Sequence, residues 1–262
     1  MYEFEFEKPA TIGEAVAALA DEDAQALGGG QTLIPALKQR LAMPSKLVSL
    51  TGIPQLKELS DNGGMLTIGG AVTHAAVAEA AADAYPALAD LASHIGDPAV
   101  RNRGTIGGSL ANNDPAACYP AAALGSGATI VTSRREITAD DYFRGLFETA
   151  LEEGEIITAV RFPVPQKANY QKFLQPASRF ALVGVFVAQY AAGVRVAVTG
   201  ASEEGVFRWR EAEAALDARF APEALDSLSA DAAGMMADLH GSREYRAHLV
   251  AVMAKRAVAA AA

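Results

Sequence analysis

The sequence has little of what several functional classes require. Its one cysteine, Cys118, excludes a disulfide within the 262 residues, a cluster held by four thiolates and a cysteine-rich zinc site. Its four histidines are widely scattered, so we expect no metal site within the chain. A net charge of −9 argues against a nucleic-acid binder, because that function needs a basic face to neutralise phosphates.

Targeting and membrane signals are also missing. Residues 1–8 are acidic and lack the apolar core of a signal peptide. The uncharged run over residues 180–194 is shorter than the roughly 20 residues that a membrane-spanning helix needs. We therefore expect a cytoplasmic protein without a membrane span. Because 51% of the residues are apolar, the chain can bury an ample core, which excludes general disorder.

Hydrophobic periodicity divides the chain into three segments. Residues 1–52 have the pattern of a small unit of the order strand, helix, strand, glycine loop, helix and strand. Residues 53–165 mix strands and helices, and Pro163 and Pro165 mark a boundary. Residues 166–262 have two strand patterns followed by alanine-rich helical sequence, which predicts an α+β segment.

Three local patterns give specific predictions. The alternation of aromatic and acidic residues over residues 2–7 predicts a strand with one buried face. The strand patterns on either side of residues 191–193 predict a hairpin. Asp114 followed by Pro115 predicts the start of a helix, because aspartate at the N-cap and proline at the first helical position are favoured.

Two glycine-rich segments stand out as candidate binding sites, residues 28–32 and residues 105–109. Glycine permits positive φ and lets backbone N–H groups approach a ligand, so each segment can form an anion nest at a helix start. The Thr32 and Ser109 hydroxyl groups can add donors to phosphate oxygens. Neither segment matches the dinucleotide or P-loop motif, since Leu33 stands where the third glycine is expected. Two plain turns therefore remain an alternative.

With their neighbours, these segments resemble the two flavin signatures of one family, the FAD-binding medium subunits of the molybdenum hydroxylases. Residues 28–41 are similar to the form A-G-G-Q-S-L-x-P-x-x-K-x-R, and residues 100–120 to R-N-x-G-T-I-G-G-S followed by D-P. Further matches follow in order at residues 154–158 and 170–173. The resemblance covers about residues 1–260, and the double motif in this order is specific.

The resemblance implies an α+β fold, a two-subdomain FAD-binding domain of the vanillyl-alcohol-oxidase type followed by a C-terminal α+β domain. Residues 1–52 would be the first FAD subdomain, residues 53–165 the second, and residues 166–262 the C-terminal flavoprotein domain. FAD would be bound noncovalently, because the first glycine turn contains no histidine or cysteine. Its pyrophosphate would lie across both glycine turns, with N–H groups of residues 29–32 and 107–109 as donors.

The resemblance also implies residues at the flavin ring. Ile95 and Gly96 match positions that flank the isoalloxazine, and Ile157 matches an apolar neighbour of the ring. Lys172 matches a lysine whose charge would stabilise reduced flavin, although the residue alone would be interpreted as a solvated strand lysine. The full set of cofactor-binding residues that the resemblance implies is Gly28, Gly29, Gly30, Gln31, Thr32, Leu33, Ile95, Gly96, Thr105, Gly107, Gly108, Ser109, Asn112, Asp114, Ile157 and Lys172.

Three positions depart from the usual family pattern. Cys118 stands where many relatives carry an aspartate that contacts the cofactor, and a thiol is a poor hydrogen-bond partner. Gln175 and Pro176 stand where relatives often have two arginines, and Gly28 replaces the usual alanine. These departures affect the tuning of the flavin more than its binding.

The resemblance implies a redox subunit without catalytic residues of its own. A small subunit with [2Fe–2S] clusters would pass electrons to FAD on this chain, and a large subunit would hold the molybdenum cofactor. The acceptor would be NAD⁺, O₂ or a quinone, and the assembly a dimer of heterotrimers. A stand-alone FAD-dependent oxidoreductase of the same fold is the alternative, and a scaffold that has lost flavin is a third hypothesis.

Overall fold

The computed structural model describes residues 1–261 and begins with a small parallel sheet between helices. This first unit contains β1 (Glu5–Glu7), α1 (Ile12–Ala18), β2 (Ala24–Leu27), α2 (Leu33–Lys38) and β3 (Lys46–Ser49). The strands lie in the order β1-β3-β2, and both pairings are parallel. Ala15 and Ala18 of α1 pack against Val48 of the central strand, so one face of the sheet is closed by apolar contact.

The N-terminal strand differs from its prediction. It is shorter than residues 2–7, and the aromatic face is not buried, since Tyr2 and Phe6 are 45% and 50% exposed. The reason is that β1 is an edge strand without a covering element on this face. Side-chain cations cover the rings instead: Lys8 Nζ lies 5.4 Å from the Phe6 ring centre, and Arg40 lies at the same distance from that of Tyr2.

The second unit surrounds a five-stranded antiparallel sheet. Its elements are β4 (Leu59–Asp61), β5 (Met65–Gly69), α3 (His74–Ala80), α4 (Pro86–Ser93), α5 (Pro98–Arg101), α6 (Ile106–Asn112), α7 (Cys118–Ser126), β6 (Thr129–Thr132), β7 (Glu136–Thr138), α8 (Ala139–Tyr142), β8 (Phe143–Gly145), β9 (Glu148–Thr149) and β10 (Ile157–Pro163). The strand order is β4-β5-β10-β6-β7, and β8 pairs with β9 in a separate hairpin. A 3₁₀ turn over Pro54–Lys57 joins this unit to the first.

The third unit is a four-stranded antiparallel sheet with helices on one side. It contains β11 (Lys167–Leu174), β12 (Ala181–Tyr190), β13 (Gly193–Ser202), β14 (Gly205–Arg208), α9 (Arg210–Ala218), a 3₁₀ turn (Pro222–Leu225) and α10 (Arg243–Ala260). The predicted hairpin is present, with Tyr190 opposite Gly193. Val185 and Val187 of β12 pack with residues of α9 and α10 such as Leu216 and Val250.

Helix α7 joins the second and third units. All of its residues are buried, and Gly125 lies against Phe186 of β12, because an added Cβ at this glycine would be 2.8 Å from the ring. Phe186 shares one core with Tyr85, whose ring it meets edge-on at 6.2 Å. Among the residues described, no helix has the length and apolar character that crossing a membrane requires.

The helix predicted to start at Asp114 begins later. Helix α7 starts at Cys118, with Ala117 at its N-cap. The Asp114 carboxylate accepts the Ala116 N–H at 2.8 Å in a local turn. The hydroxyl of Thr199 donates to the carbonyls of Pro115 and Ala117, at 2.9 and 2.8 Å, so β13 holds this stretch in its non-helical shape. The prediction that Asp114 is the helix N-cap was therefore wrong.

A buried carboxylate holds the end of the second sheet together. The Glu155 side chain has no exposed surface and accepts hydrogen bonds from the Arg135 guanidinium, the Thr132 hydroxyl and the Glu152 N–H. Burial alone would raise the pKa of Glu155, but these hydrogen bonds and the arginine charge outweigh it and lower the pKa to about 2. Since the pKa is lower in the folded state, this group stabilises the fold above about pH 4.5, and the stabilisation is lost as the pH falls toward 2.

We expect the Glu155→Gln variant to lose about 1–3 kcal/mol of unfolding free energy at pH 7, because a charge-assisted network is left partly unpaired. Its stability should also fall less steeply than that of the wild type between pH 5 and pH 3. Urea unfolding at several pH values measures both quantities, and the exposed Glu153→Gln is the matched control. Equal pH slopes for the wild type and Glu155→Gln would contradict this account.

Candidate functional site

The first glycine segment forms an open backbone nest between β2 and α2. Gly30 has φ +71°, a conformation that glycine adopts without strain. Within residues 1–261, the backbone N–H groups of residues 29–33 have no hydrogen-bond acceptor. The Gln31 side chain donates to the Gly29 carbonyl at 3.3 Å, which closes the turn from the other side. Consecutive free N–H groups at a helix start are suited to an anion.

The second glycine segment is different, because it is the first turn of α6 and not a free turn. Thr105 is the N-cap, and its hydroxyl accepts the Gly108 N–H at 3.1 Å. The Gly107 N–H donates to the Gly70 carbonyl at 2.9 Å, and the Ser109 N–H donates to the Thr105 carbonyl at 3.0 Å. These three N–H groups already have acceptors within the chain, and their expected donation to a pyrophosphate stays a prediction. Thr105 does hold this segment, as expected.

The two glycine segments are in direct backbone contact. An added Cβ at Gly29 would lie 2.0 Å from the Arg103 carbonyl oxygen and 2.6 Å from the Gly104 Cα. An added Cβ at Gly28 would lie 2.9 Å from the Thr105 hydroxyl oxygen. Only glycine permits this approach, because any side chain would separate the two segments. The open nest therefore lies beside the N-terminus of α6, with the exposed Gly108 next to it.

Gly70 is a site residue that the sequence reasoning missed. It lies between Gly107 and Ile157, since an added Cβ would be 2.2 Å from the Ile157 carbonyl oxygen, while its own carbonyl accepts the Gly107 N–H. Ile157 is 4% exposed and belongs to the core of the second unit. The Gly69-Gly70 pair at the end of β5 is visible in the sequence. Its role could not be predicted from it, because that role depends on contact with Ile157 of β10, which lies far away in sequence.

The corner at residues 94–96 is the second part of the site. Ile95 and Gly96 are half-buried, and Gly96 has φ +53°. Lys172 Nζ, from β11 of the third unit, donates to the His94 carbonyl at 3.1 Å. A cavity of about 270 Å³ opens here, lined by Ser93, His94, Gly96, Arg101, Leu174, Pro176 and Arg179. The structure thus places Lys172 against the residue that precedes Ile95 and Gly96, and the contact of these three residues with a flavin ring stays a prediction.

A buried histidine supports the connection between nest and corner. His74 is 4% exposed, its ring lies 5.3 Å from that of Tyr119, and its backbone N–H donates to the Gly104 carbonyl at 3.0 Å. Burial, with a further contribution from the Arg101 charge, lowers the pKa of His74 to about 4. The side chain is therefore neutral at pH 7 and acts as packing behind Gly104. Sequence reasoning gave it no role.

The end of α6 and the following turn hold the remaining predicted residues. Asn112 and Asp114 are half-buried, and Asn113 between them adopts φ +42°. The Asn113 side chain donates to the Gly145 and Glu148 carbonyls, at 2.8 and 2.9 Å, which fixes the β8–β9 hairpin to this turn. Cys118 is buried, and its thiol is a much weaker hydrogen-bond acceptor than a carboxylate.

These residues fit an elongated cofactor with an anionic part and a flat ring. The nest over residues 29–33 offers free donors to an anion, and the exposed Gly108 leaves room for close approach. One short helix, α5, connects the corner at residues 94–96 to Thr105 in sequence. Lys172 supplies a cation at the corner. The nest is therefore suited to the pyrophosphate in the middle of an FAD molecule, and the corner to the isoalloxazine at one of its ends.

Comparison with known proteins agrees with this geometry. The model of the family described as "FAD binding domain in molybdopterin dehydrogenase" matches residues 2–165. The chain belongs to this family. It is an FAD-binding subunit of the molybdenum hydroxylase type and thus part of an oxidoreductase. The expected α+β fold is confirmed as well.

Relatives match over nearly the whole chain. The nicotine 6-hydroxylase medium subunit of Paenarthrobacter nicotinovorans is 36% identical, covering 97% of this chain and 95% of that protein. The carbon monoxide dehydrogenase medium chain of Hydrogenophaga pseudoflava is 33% identical, covering 98% and 96%. Among solved structures, carbon monoxide dehydrogenase from the same organism superimposes with a TM-score of 0.89 at 32% identity, covering 99% of this chain and 97% of the other.

We expect Gly29→Ala to reduce FAD affinity at least about 100-fold, because the added methyl group collides with the Arg103 carbonyl and displaces the nest. Titration of the FAD-free chain with FAD, followed by flavin fluorescence, measures the affinity. Gly13→Ala is the matched control, since nothing lies within 4 Å of its added Cβ. Normal FAD affinity in a folded Gly29→Ala variant would contradict the assignment of the nest.

Proposed function

We propose that the chain is the electron-transfer subunit of a heterotrimeric molybdenum hydroxylase. It receives electrons from the [2Fe–2S] clusters of a small partner subunit and delivers them to an external acceptor. The observation that carries this proposal is the open nest of residues 29–33 in contact with residues 103–104, within a chain of the FAD-binding medium subunits. Cytoplasmic location and a dimer of heterotrimers are further parts of the proposal.

The composition supports the assignment of the different cofactors to different subunits. One cysteine in 262 residues cannot supply the thiolates of a [2Fe–2S] cluster, so the clusters belong to another chain. Relatives are named medium subunits or medium chains, which indicates smaller and larger companions in those complexes. The molybdenum cofactor is accordingly assigned to the large partner subunit.

The chain's own residues bind and orient the cofactor in this proposal. The N–H groups of residues 29–33 bind the pyrophosphate, and the Thr32 and Ser109 hydroxyl groups add donors to its oxygens. The corner formed by Ile95 and Gly96 positions the ring, and Lys172 holds that corner from the third unit. When bound, FAD supplies the ability to accept single electrons and to pass on a pair. The binding is noncovalent.

The experiment that tests the proposal is reconstitution. The FAD-loaded chain is assayed alone, and then together with the cluster subunit and the molybdenum subunit of its complex. We expect the isolated chain to show no turnover of the organic substrate, because the hydroxylation site lies on another subunit. The three subunits together should pass electrons from substrate to acceptor, and omission of this chain should abolish that transfer.

Two results would contradict the proposal. Full oxidation of the organic substrate by this chain alone would favour a stand-alone flavoenzyme. A reconstituted complex in which FAD on this chain stays oxidised when the organic substrate is added without an acceptor, monitored by its visible absorption, would show that the chain does not receive the electrons. The Gly29→Ala variant in the same complex serves as the control without bound FAD.

A further inference from the structure

Three consecutive carbonyl groups at the ring corner are held by two cations from different parts of the chain. Lys172 Nζ donates to the His94 carbonyl at 3.1 Å. A single guanidinium nitrogen, Nη1 of Arg101, donates to the carbonyls of both Ile95 and Gly96, at 3.1 and 3.0 Å. The negative ends of three peptide dipoles are thereby fixed in direction at the place where the ring is expected.

Arg101 has no carboxylate partner in the part of the chain that the structure describes, residues 1–261. Its remaining N–H groups make no hydrogen bond within residues 1–261, and Arg101 is half-buried in the wall of the 270 Å³ cavity. The residues lining that cavity include a second arginine, Arg179, and no aspartate or glutamate. The positive charge of Arg101 is therefore not neutralised by the chain itself.

The local acids are engaged elsewhere. The Asp97 carboxylate accepts the Val100 N–H at 2.9 Å and caps helix α5. The Asp90 carboxylate lies 3.4 Å from Nδ1 of the His94 ring. The same ring nitrogen also contacts the Asp90 carbonyl oxygen near the end of α4. Arg101 stands at the last residue of α5, so its backbone is fixed by the same cap.

We infer that Arg101 is a positioning residue for the flavin ring and favours the reduced, negatively charged form of FAD. It acts in two ways: it holds the Ile95 and Gly96 carbonyls in place, and it presents an unpaired charge to the cavity beside them. FAD that takes up two electrons and one proton gains one negative charge, which a nearby guanidinium stabilises. This inference rests on the proposed function, since it requires FAD at this corner.

Lysine is not an equivalent of arginine at this position. The planar guanidinium lets one nitrogen bridge two carbonyls while other N–H groups face the cavity. An ammonium group keeps the charge but lacks this fixed geometry. The two contributions of Arg101 can thus be separated by substitution: lysine retains the charge, and glutamine removes it.

The experiment compares Arg101→Gln and Arg101→Lys with Arg256→Gln in the full-length chain. Arg256 is an exposed residue of α10 and belongs to neither the nest nor the corner, so its substitution removes the same charge without touching the site. The dissociation constants of oxidised and of dithionite-reduced FAD are measured for each variant, together with the visible absorption spectrum of bound FAD. Circular dichroism checks that each variant is folded.

We expect Arg101→Gln to lower the preference for reduced over oxidised FAD at least about tenfold, which corresponds to about 30 mV for a two-electron couple. Arg101→Lys should recover most of this preference but retain an altered flavin absorption spectrum, because the carbonyls are no longer bridged. Arg256→Gln should change the preference less than about twofold, since an exposed charge is screened.

The inference is overturned if Arg101→Gln and Arg256→Gln change the preference equally, or if neither Arg101 variant alters the spectrum. Failure of the wild-type chain to bind FAD at all would overturn the proposed function and this inference with it. Normal FAD binding by the wild type, combined with unaltered Arg101 variants, would overturn the inference alone. If Arg101→Gln does not fold, the spectrum of Arg101→Lys still decides the positioning role.

Discussion

The backbone contact between Gly29 and residues 103–104 is the constraint on which the site depends. Two segments separated by more than 70 residues in sequence approach so closely that no side chain fits between them. The contact sets the nest of residues 29–33 beside the start of α6 and fixes how the first unit sits on the second. Without it, the nest would be a surface loop of the small parallel sheet and would face no second wall.

The two glycine-rich segments use glycine for different physical reasons. In the first, glycine permits positive φ at Gly30 and leaves N–H groups free for a ligand. In the second, Gly107 permits close packing against Gly70, and the N–H groups are consumed by the cap of α6 and by this packing. The first segment therefore offers free backbone donors, whereas the second is a rigid wall.

Much of the local structure was predictable because its causes are local. Helix α4 (Pro86–Ser93) begins at a proline, and Thr11 caps α1 by accepting the Glu14 N–H at 3.2 Å, both of which follow from preferences of neighbouring residues. The pairing of the two glycine motifs followed from the family resemblance. The residues assigned to FAD contact remain predictions, although the geometry brings most of them to the nest or to the corner.

The features that were not predicted have one common origin, because each depends on residues far away in sequence. The occupancy of the Gly107 N–H depends on Gly70, and the shape of the turn after Asp114 depends on the Thr199 hydroxyl. The exposure of Phe6 depends on the absence of a covering element at a sheet edge. No pattern within a window of neighbouring residues contains this information, and the same is true of the two carbonyls that Arg101 holds.

Amide hydrogen exchange, with and without FAD, tests the central claim most directly. The account predicts that the amides of residues 29–33 exchange rapidly in the FAD-free chain and become protected when FAD binds, because they lack internal acceptors. The amides of residues 107–109 should be protected in both states, since they are already bonded within the chain. Protection gained at residues 107–109 with none at residues 29–33 would contradict the account.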